Sequence, residues 1–488
     1  MAGARPEAHR RFPRRGLRAL AAGVAVPAVL GAALATARTS PLHTELKESD
    51  PAADTVLEAS PDAVTLTYTT DVQLALSTVT VRAAGVDGAT APAGDLAYLA
   101  DDRHDVLVLP LSEPLGRGGY TVAWTTAGPD GHKLSGDFGF RVEVRASDEP
   151  GEPPGAGTAG ADPATPAGDG ATRSSATDRS GAGAGAIGTG MGFLFYLGIV
   201  GVLGGVAFRR FVLGRCARDG APREWLDPAS IATWTFFFIP TGFLLGAVFV
   251  RLWDRAATFF PDDVTGNLFT VVTGTPWAAG WWLHVAGVVL VTGGLFLINR
   301  DGVRPAAWKV IGLGALLLPF VPVLSGHGWS DSPRAVSAVA TYLHVVAAGG
   351  WMGALGCLLW VNARIGKDPA NGADASPDAP GLAEVVAAFS RFAQVAVAVL
   401  LVTGGLKIWT HIDAASQLWT TPWGRSLLVK AGVVAGVMAL GFYNWRFVRP
   451  ALANGTRSGG LGGPALVELL LGVAAVAVTA YVVAQPLG

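Results

Sequence analysis

Eight long apolar runs, nearly free of charge, dominate the chain beyond residue 185 and set what it can fold into. They lie at about 186–208, 229–250, 277–299, 310–324, 335–362, 391–410, 426–445 and 466–485. At about 1.5 Å per residue, all but the shortest cross a hydrocarbon layer of about 30 Å. A water-soluble fold cannot cover so many helices that are apolar on every face. The rest of the composition agrees, because 15% of the 488 residues are charged against about 25% in soluble domains. The 15 Trp and 21 Phe exclude a disordered or fibrous chain and suit helices anchored at a bilayer surface. The lipid bilayer is therefore one partner. With 36 basic and 37 acidic residues, the charge balance makes no case for a nucleic-acid partner.

Basic residues orient the spans. Arg209, Arg210, Arg215, Arg218 and Arg223 follow the first, Arg300, Arg304 and Lys309 the third, Arg364 and Lys367 the fifth, and Arg446, Arg449 and Arg457 the seventh. Those loops are expected in the cytoplasm. The N-terminus agrees: Arg10, Arg11, Arg14, Arg15 and Arg18 precede an apolar run from Ala19 to Leu34 and then Ala35-Thr36-Ala37, as in an export signal. An uncleaved signal anchor gives the same topology. The expected organisation is a signal peptide at 1–37, an exported domain at 38–146, a flexible linker at 147–185 and a membrane domain at 186–488 in the cytoplasmic membrane, with the exported domain outside the cytoplasm. The linker is mainly Gly, Ala, Pro, Ser, Thr and Asp, without apolar periodicity.

The exported segment alternates apolar and polar residues, as in Val64-Thr65-Leu66-Thr67-Tyr68, Val79-Thr80-Val81, Val106-Leu107-Val108-Leu109 and Tyr120-Thr121-Val122-Ala123-Trp124. Period-two alternation broken by Pro, Gly and Asp predicts an antiparallel β-sandwich. The fold class is thus an all-β exported sandwich joined to an all-α polytopic membrane domain of about eight helices. Cys216 and Cys357 lie far apart in apolar surroundings, so neither a disulfide framework nor a thiolate cluster is expected.

Any metal must then be held by His, Met, carboxylate or backbone amine. The membrane part has four histidines, and the topology places all of them toward the outside: His284 two turns below the end of the third span, His327 in the following outer loop, His344 in the outer half of the fifth span, His411 at the end of the sixth. A single intramembrane histidine is often a hydrogen-bonded packing residue, but four on one side suggest a polar path. Neutral imidazole is a common copper and zinc ligand. His344, Trp351 and Met352 share a helix face by spacing, and a thioether below an imidazole suits Cu(I); gap filling is the alternative role for Met352. Gly201–Gly205, Gly242–Gly246, Gly349–Gly353 and Gly432–Gly436 have the spacing of close helix contacts. Lys407 and Lys430 are placed to snorkel. Glu468 is expected to be buried, paired with a basic residue or relaying protons.

One segment carries a resemblance. Trp124-Thr125-Thr126-Ala127-Gly128-Pro129-Asp130-Gly131-His132, together with His43-Thr44-Glu45-Leu46 and Ser49-Asp50-Pro51-Ala52, resembles the CopC family of Ig-like copper-binding sandwiches. The resemblance implies that His43, Asp130 and His132 hold Cu(II). The membrane part is similar to the CopD family through Gly326-His327, His344 with Trp351-Met352-Gly353, Phe389-Ser390-Arg391-Phe392, Thr403-Gly404, Trp423-Gly424-Arg425, Lys430, Asn444 and Glu468. The topology, with all three imidazoles on the outer side, adds an expected copper path through His284, His327 and His344, with Met352 as a deeper contact, for Cu(I) or Cu(II), and with Lys430 and Glu468 structural or relaying protons. Two departures stand out. His43 is the sixth residue after Ala37, so an N-terminal amine ligand requires different processing, and the exported domain has no Met, which favours a cupric site. His104, among charged neighbours, reads as a solvated loop residue.

The expected function is copper capture outside the membrane followed by import, in copper homeostasis and resistance. The chain carries no nucleophile triad, phosphate loop or metalloprotease motif, so an enzyme is not expected. Two alternatives remain: a haem-binding membrane oxidoreductase, which needs axial His pairs, and a copper sensor or assembly factor without transport.

Overall fold

The structure, a computed structural model, describes residues 44–84, 88–129, 131, 133–143, 181–301, 305–324, 334–365, 382–411, 416–450 and 462–484. The expected signal peptide and linker lie outside these residues.

The first region is the expected sandwich. Its strands are β1 (Leu46–Asp50), β2 (Val56–Leu57), β3 (Ala63–Tyr68), β4 (Thr78–Ala83), β5 (Ala97–Tyr98), β6 (Val106–Pro110), β7 (Gly118–Ala127) and β8 (Lys133–Val142). One sheet runs β1-β3-β6-β5 and the other β2-β8-β7-β4. Alternation sets the faces: in β3 the side chains of Val64, Leu66 and Tyr68 are buried while those between are partly exposed. They meet Val81, Val122, Phe138 and Phe140 of the opposite sheet in a core made only of sandwich residues. Each fully buried Val or Leu there contributes about 1.5–3 kcal/mol relative to exposure.

The second region is a helical bundle with eight membrane-capable spans among the described residues. Its main helices are α1 (Gly181–Ala207), α2 (Arg223–Phe236), α3 (Phe238–Phe259), α4 (Trp277–Asp301), α5 (Pro305–Leu317), α6 (Arg334–Ile365), α7 (Leu382–His411), α8 (Pro422–Tyr443) and α9 (Gly462–Ala484). The second span is longer than its apolar run, because α2 and α3 form one crossing broken at Phe237. Pro240 explains the break: it has no N–H for the Phe236 carbonyl, and its ring crowds that group. The fourth span is likewise extended, from Pro305 to Leu324. Within the fifth span's apolar window 61% of residues are buried, against 6% in the seventh, so α6 is central and α8 peripheral.

The glycine pairs divide. A Cβ on Gly201 would meet Pro240, one on Gly205 would lie 2.6 Å from the Phe237 ring, one on Gly349 would lie 2.7 Å from Leu203 Cδ1, and Gly204 and Gly353 meet backbone to backbone. Here α1 crosses α6 and α3 at distances that only glycine permits. The other two pairs correct the expectation: Gly242, Gly246 and Gly432 have nothing within 4 Å of an added Cβ, and Gly436 has only an ordinary contact at 3.5 Å. Spacing alone does not create a glycine-tight crossing: Gly436 faces Leu471 of α9 at ordinary contact distance.

Candidate metal path

The candidate site residues begin at one rim of the sandwich. β7 and β8 form a long hairpin paired from Gly118↔Val142 to Ala127↔Lys133, and its tip is the Asp-Gly-His turn. Gly131 has φ +76°, in the left-handed region that glycine occupies without a Cβ clash. Asp130, His132 and His43 lie outside the described residues, but their chain neighbours are anchored. The Thr44 hydroxyl is 2.6 Å from that of Thr70, just past β3. Three residues on, the Gln73 backbone N–H donates to the Ala127 carbonyl at 2.9 Å and its side-chain amide donates to the Gly128 carbonyl at 2.6 Å. The segment after His43 and the segment before Asp130 are therefore tied to the same rim.

This rim rests on the bundle. Leu76 and Ala127 pack with Phe259 at the end of α3, and Arg255 Nη1 donates to the Gly131 carbonyl at 2.6 Å. Below it runs a column of cations and rings. The Arg255 guanidinium lies 4.8 Å from the Phe259 ring centre and 5.8 Å from that of Trp277. One turn deeper, Arg251 stands 4.2 Å over Phe195 and 5.6 Å from Trp277. Phe195 in turn packs edge-on against His284, with ring centres 4.9 Å apart. His284 is fully buried, and neither ring nitrogen has a hydrogen-bond partner among the described residues; the Leu244 backbone approaches without bonding geometry. An orphaned buried imidazole is costly, and a ligand to either nitrogen relieves that cost.

His344 has a different environment. Its Nδ1 is 3.0 Å from Thr403 Oγ1. That hydroxyl donates to the Val399 carbonyl at 2.7 Å, so it accepts from the imidazole, placing the proton on Nδ1 and leaving Nε2 as the basic nitrogen. A backing hydrogen bond of this kind is how metal-binding histidines are oriented. Two cations, Lys430 and Lys407, act on the ring. Lys407 donates to Thr341 Oγ1 at 2.8 Å, so it turns into the bundle and does not snorkel.

Deeper still, Met352 and Trp351 are buried. Met352 presses on Gly472 of α9, where His344 faces Thr403 and Gly404 of α7. The shared helix face thus opens onto different neighbours. One turn before Gly472 on α9, Glu468 is 4% exposed and accepts from the Asn444 side-chain amide at 2.7 Å. Its partner is an amide and not the basic residue expected. His327 lies outside the described residues, as does the side chain of His411. His104 is exposed, its ring tilted against that of Tyr98 with centres 4.6 Å apart, next to an Arg103–Asp105 ion pair of 2.8 Å. No group of three or more His, Cys, Asp or Glu fit to hold a metal exists among the described residues, and His284 and His344 have separate neighbours.

Two family models match the chain, the CopC domain over residues 46–143 and Copper resistance protein D over residues 383–482. The chain is a CopC–CopD fusion. Over 430 residues, 86% of the fusion and 70% of the relative, it is 22% identical to Copper transport protein CutJ of Bacillus subtilis (strain 168). Over 106 residues, 21% of the fusion and 79% of the relative, it is 30% identical to Protein YobA of Escherichia coli (strain K12). Among solved structures it is similar to PcoC, a methionine-rich copper resistance protein from Escherichia coli, with 29% identity over 20% of the fusion and 98% of that chain and a TM-score of 0.19. The fusion is a multi-pass membrane protein of the copper resistance and transport family.

Sequence reasoning missed Arg251 and Arg255 of the fusion, because the apolar run ends at residue 250 and both seemed to fall in a loop. The signal was present: two arginines four apart share a helix face, and charge at the end of a span seeks a partner. Thr403 mattered only as the group that fixes the His344 tautomer, which no spacing on one helix reveals.

Proposed function

We propose that the fusion captures copper outside the cytoplasmic membrane and imports it. In this reading the signal peptide exports the sandwich, and His43, Asp130 and His132 hold Cu(II), for which nitrogen and oxygen donors are suited. Copper then passes to His284, His327 and His344, with the Met352 thioether as a deeper contact suited to Cu(I). The observation that carries the reading is the bond from Arg255 to Gly131, the residue between the two proposed turn ligands, at the head of a column leading to His284. Arg251 and Arg255 raise the energy of a free cation in that column, which favours direct ligand exchange over passage of a hydrated ion. An inside-negative potential assists inward movement by about 2.3 kcal/mol per charge per 100 mV. No enzymatic activity is part of this proposal. The haem alternative gains nothing from His284 and His344, which have different neighbours.

Two measurements test it. Electron paramagnetic resonance of the full chain with one equivalent of Cu(II) should show a nitrogen-coordinated signal that His132→Ala removes. Cells making the protein should hold more copper than cells without it, and His284→Ala or His344→Ala should return them to background while leaving the protein in the membrane. A wild type that lowers cell copper reverses the direction and defeats the proposal.

A further inference from the structure

At the end of the bundle away from the sandwich, α1 runs into a π-helical segment, Phe208–Leu213, close to the starts of α2 and α5. Between them lies a cleft of about 660 Å³ lined by Arg209, Arg210, Arg218 and Lys309 over Leu213 and Trp308. Among the described residues, four cationic side chains line it and no Asp or Glu does. Nearby Arg215 is not part of the lining and is paired with Asp219 at 2.8 Å. Arg209 is held in place: its guanidinium carbon is 4.1 Å from the Trp308 ring centre, and Nη1 donates to Ser230 Oγ at 3.3 Å. Like charges gathered at a low-dielectric interface repel one another unless an anion joins them. The same charges disfavour a free cation in the cleft. Its lining is also largely apolar, with Val206, Leu226 and Gly312 beside Leu213 and Trp308. A ligand that satisfies both features has an anionic phosphate head and an apolar body.

We propose that this cleft binds the phosphate group of an anionic phospholipid, with Arg209, Arg210, Arg218 and Lys309 around the headgroup. Basic clefts between membrane helices are suited to such headgroups, and each charge contributes about 1 kcal/mol. The proposal does not depend on the copper path.

The full chain, purified in detergent, is titrated with phosphatidylglycerol, phosphatidylcholine or inorganic phosphate, and binding is read by native mass spectrometry and by thermal stabilisation. Phosphatidylglycerol should bind and stabilise, and the other two should not. Arg210→Gln with Lys309→Gln, both exposed positions, should weaken phosphatidylglycerol about 30-fold, which is about 2 kcal/mol for two charges. Arg210→Lys with Lys309→Arg should bind as wild type does, which shows that the charge and not the fold was lost. Arg391→Gln, at the same end but outside the lining, should leave binding unchanged. Equal binding of phosphatidylcholine overturns the proposal, as does an Arg391→Gln effect equal to that of the double variant. Inorganic phosphate acting as strongly as the lipid also overturns it and assigns the cleft to soluble anions.

Discussion

In the sandwich, the buried polar side chains Thr44, Gln73 and Thr126 all sit near one rim and are hydrogen-bonded, the last to Ser77 at 2.6 Å. The Tyr68 hydroxyl and the Gln73 Oε1 lie buried without a partner among the described residues, and burial pushes the Tyr68 pKa up. The bundle keeps its polar groups in the interior: His284 with both nitrogens unpartnered, Glu468 on Asn444, His344 on Thr403. A domain folded in water excludes unpaired polar groups from its core, since each costs about 1–3 kcal/mol. Under the proposed import, the bundle retains them because the cargo would complete their bonding. The two regions thus divide the chemistry between an accessible rim and a buried column, and they meet at Gly131 and Arg255.

The largest expected effect separates the two folds. Gly353→Leu forces a side chain into the Val200 and Gly204 backbone; ordinary overpacking costs about 1–3 kcal/mol, and backbone that cannot move raises this further. Folded protein in the membrane should be lost, as judged by size-exclusion profile after extraction. Gly242→Leu, facing open space, should leave the profile unchanged. If both behave alike, the α1–α6 crossing is not the axis of the bundle.

An intermediate effect is expected where the regions meet. Arg255→Gln removes a charged donor from the Gly131 carbonyl, a bond of about 1.5–3 kcal/mol. The sandwich should loosen from the bundle, seen as lower cross-linking between cysteines placed on each, while the sandwich itself stays folded. Unchanged cross-linking would show that the Leu76, Ala127 and Phe259 cluster alone sets the contact.

The smallest effect tests whether surface charge matters to the sandwich at all. Arg103, hydrogen-bonded to Asp105, holds that carboxyl below the usual range. A depressed carboxylate contributes stability that is present above its unfolded pKa and is lost as the pH falls through the folded value. Asp105→Asn should therefore lower the thermal midpoint slightly near neutral pH and not at all in strong acid, because exposed pairs contribute little. A shift that persists in acid would point to packing.

Much of this was legible in the sequence. The eight spans follow from run length, and β3, β4, β6 and β7 follow from alternation. β1, β2 and β5 were less legible, since short edge strands such as Leu46–Asp50 and Val56–Leu57 bury little and alternate weakly. The burial of Glu468 was legible too, because a lone carboxylate in an apolar run must turn inward; its partner Asn444 was not, because that contact joins two helices.

By itself the sequence determined the two regions, the number of spans and the kinds of ligand available, because periodicity, length and residue chemistry are local properties. Only the tertiary structure decided which glycine pairs are crossings, that Thr403 accepts from His344 Nδ1–H and so fixes its tautomer, that His344 and Met352 look toward different helices, and that Arg255 reaches Gly131. Each of these depends on residues far apart in the chain being packed within a few ångströms, and one helix's own spacing does not encode what lies opposite it.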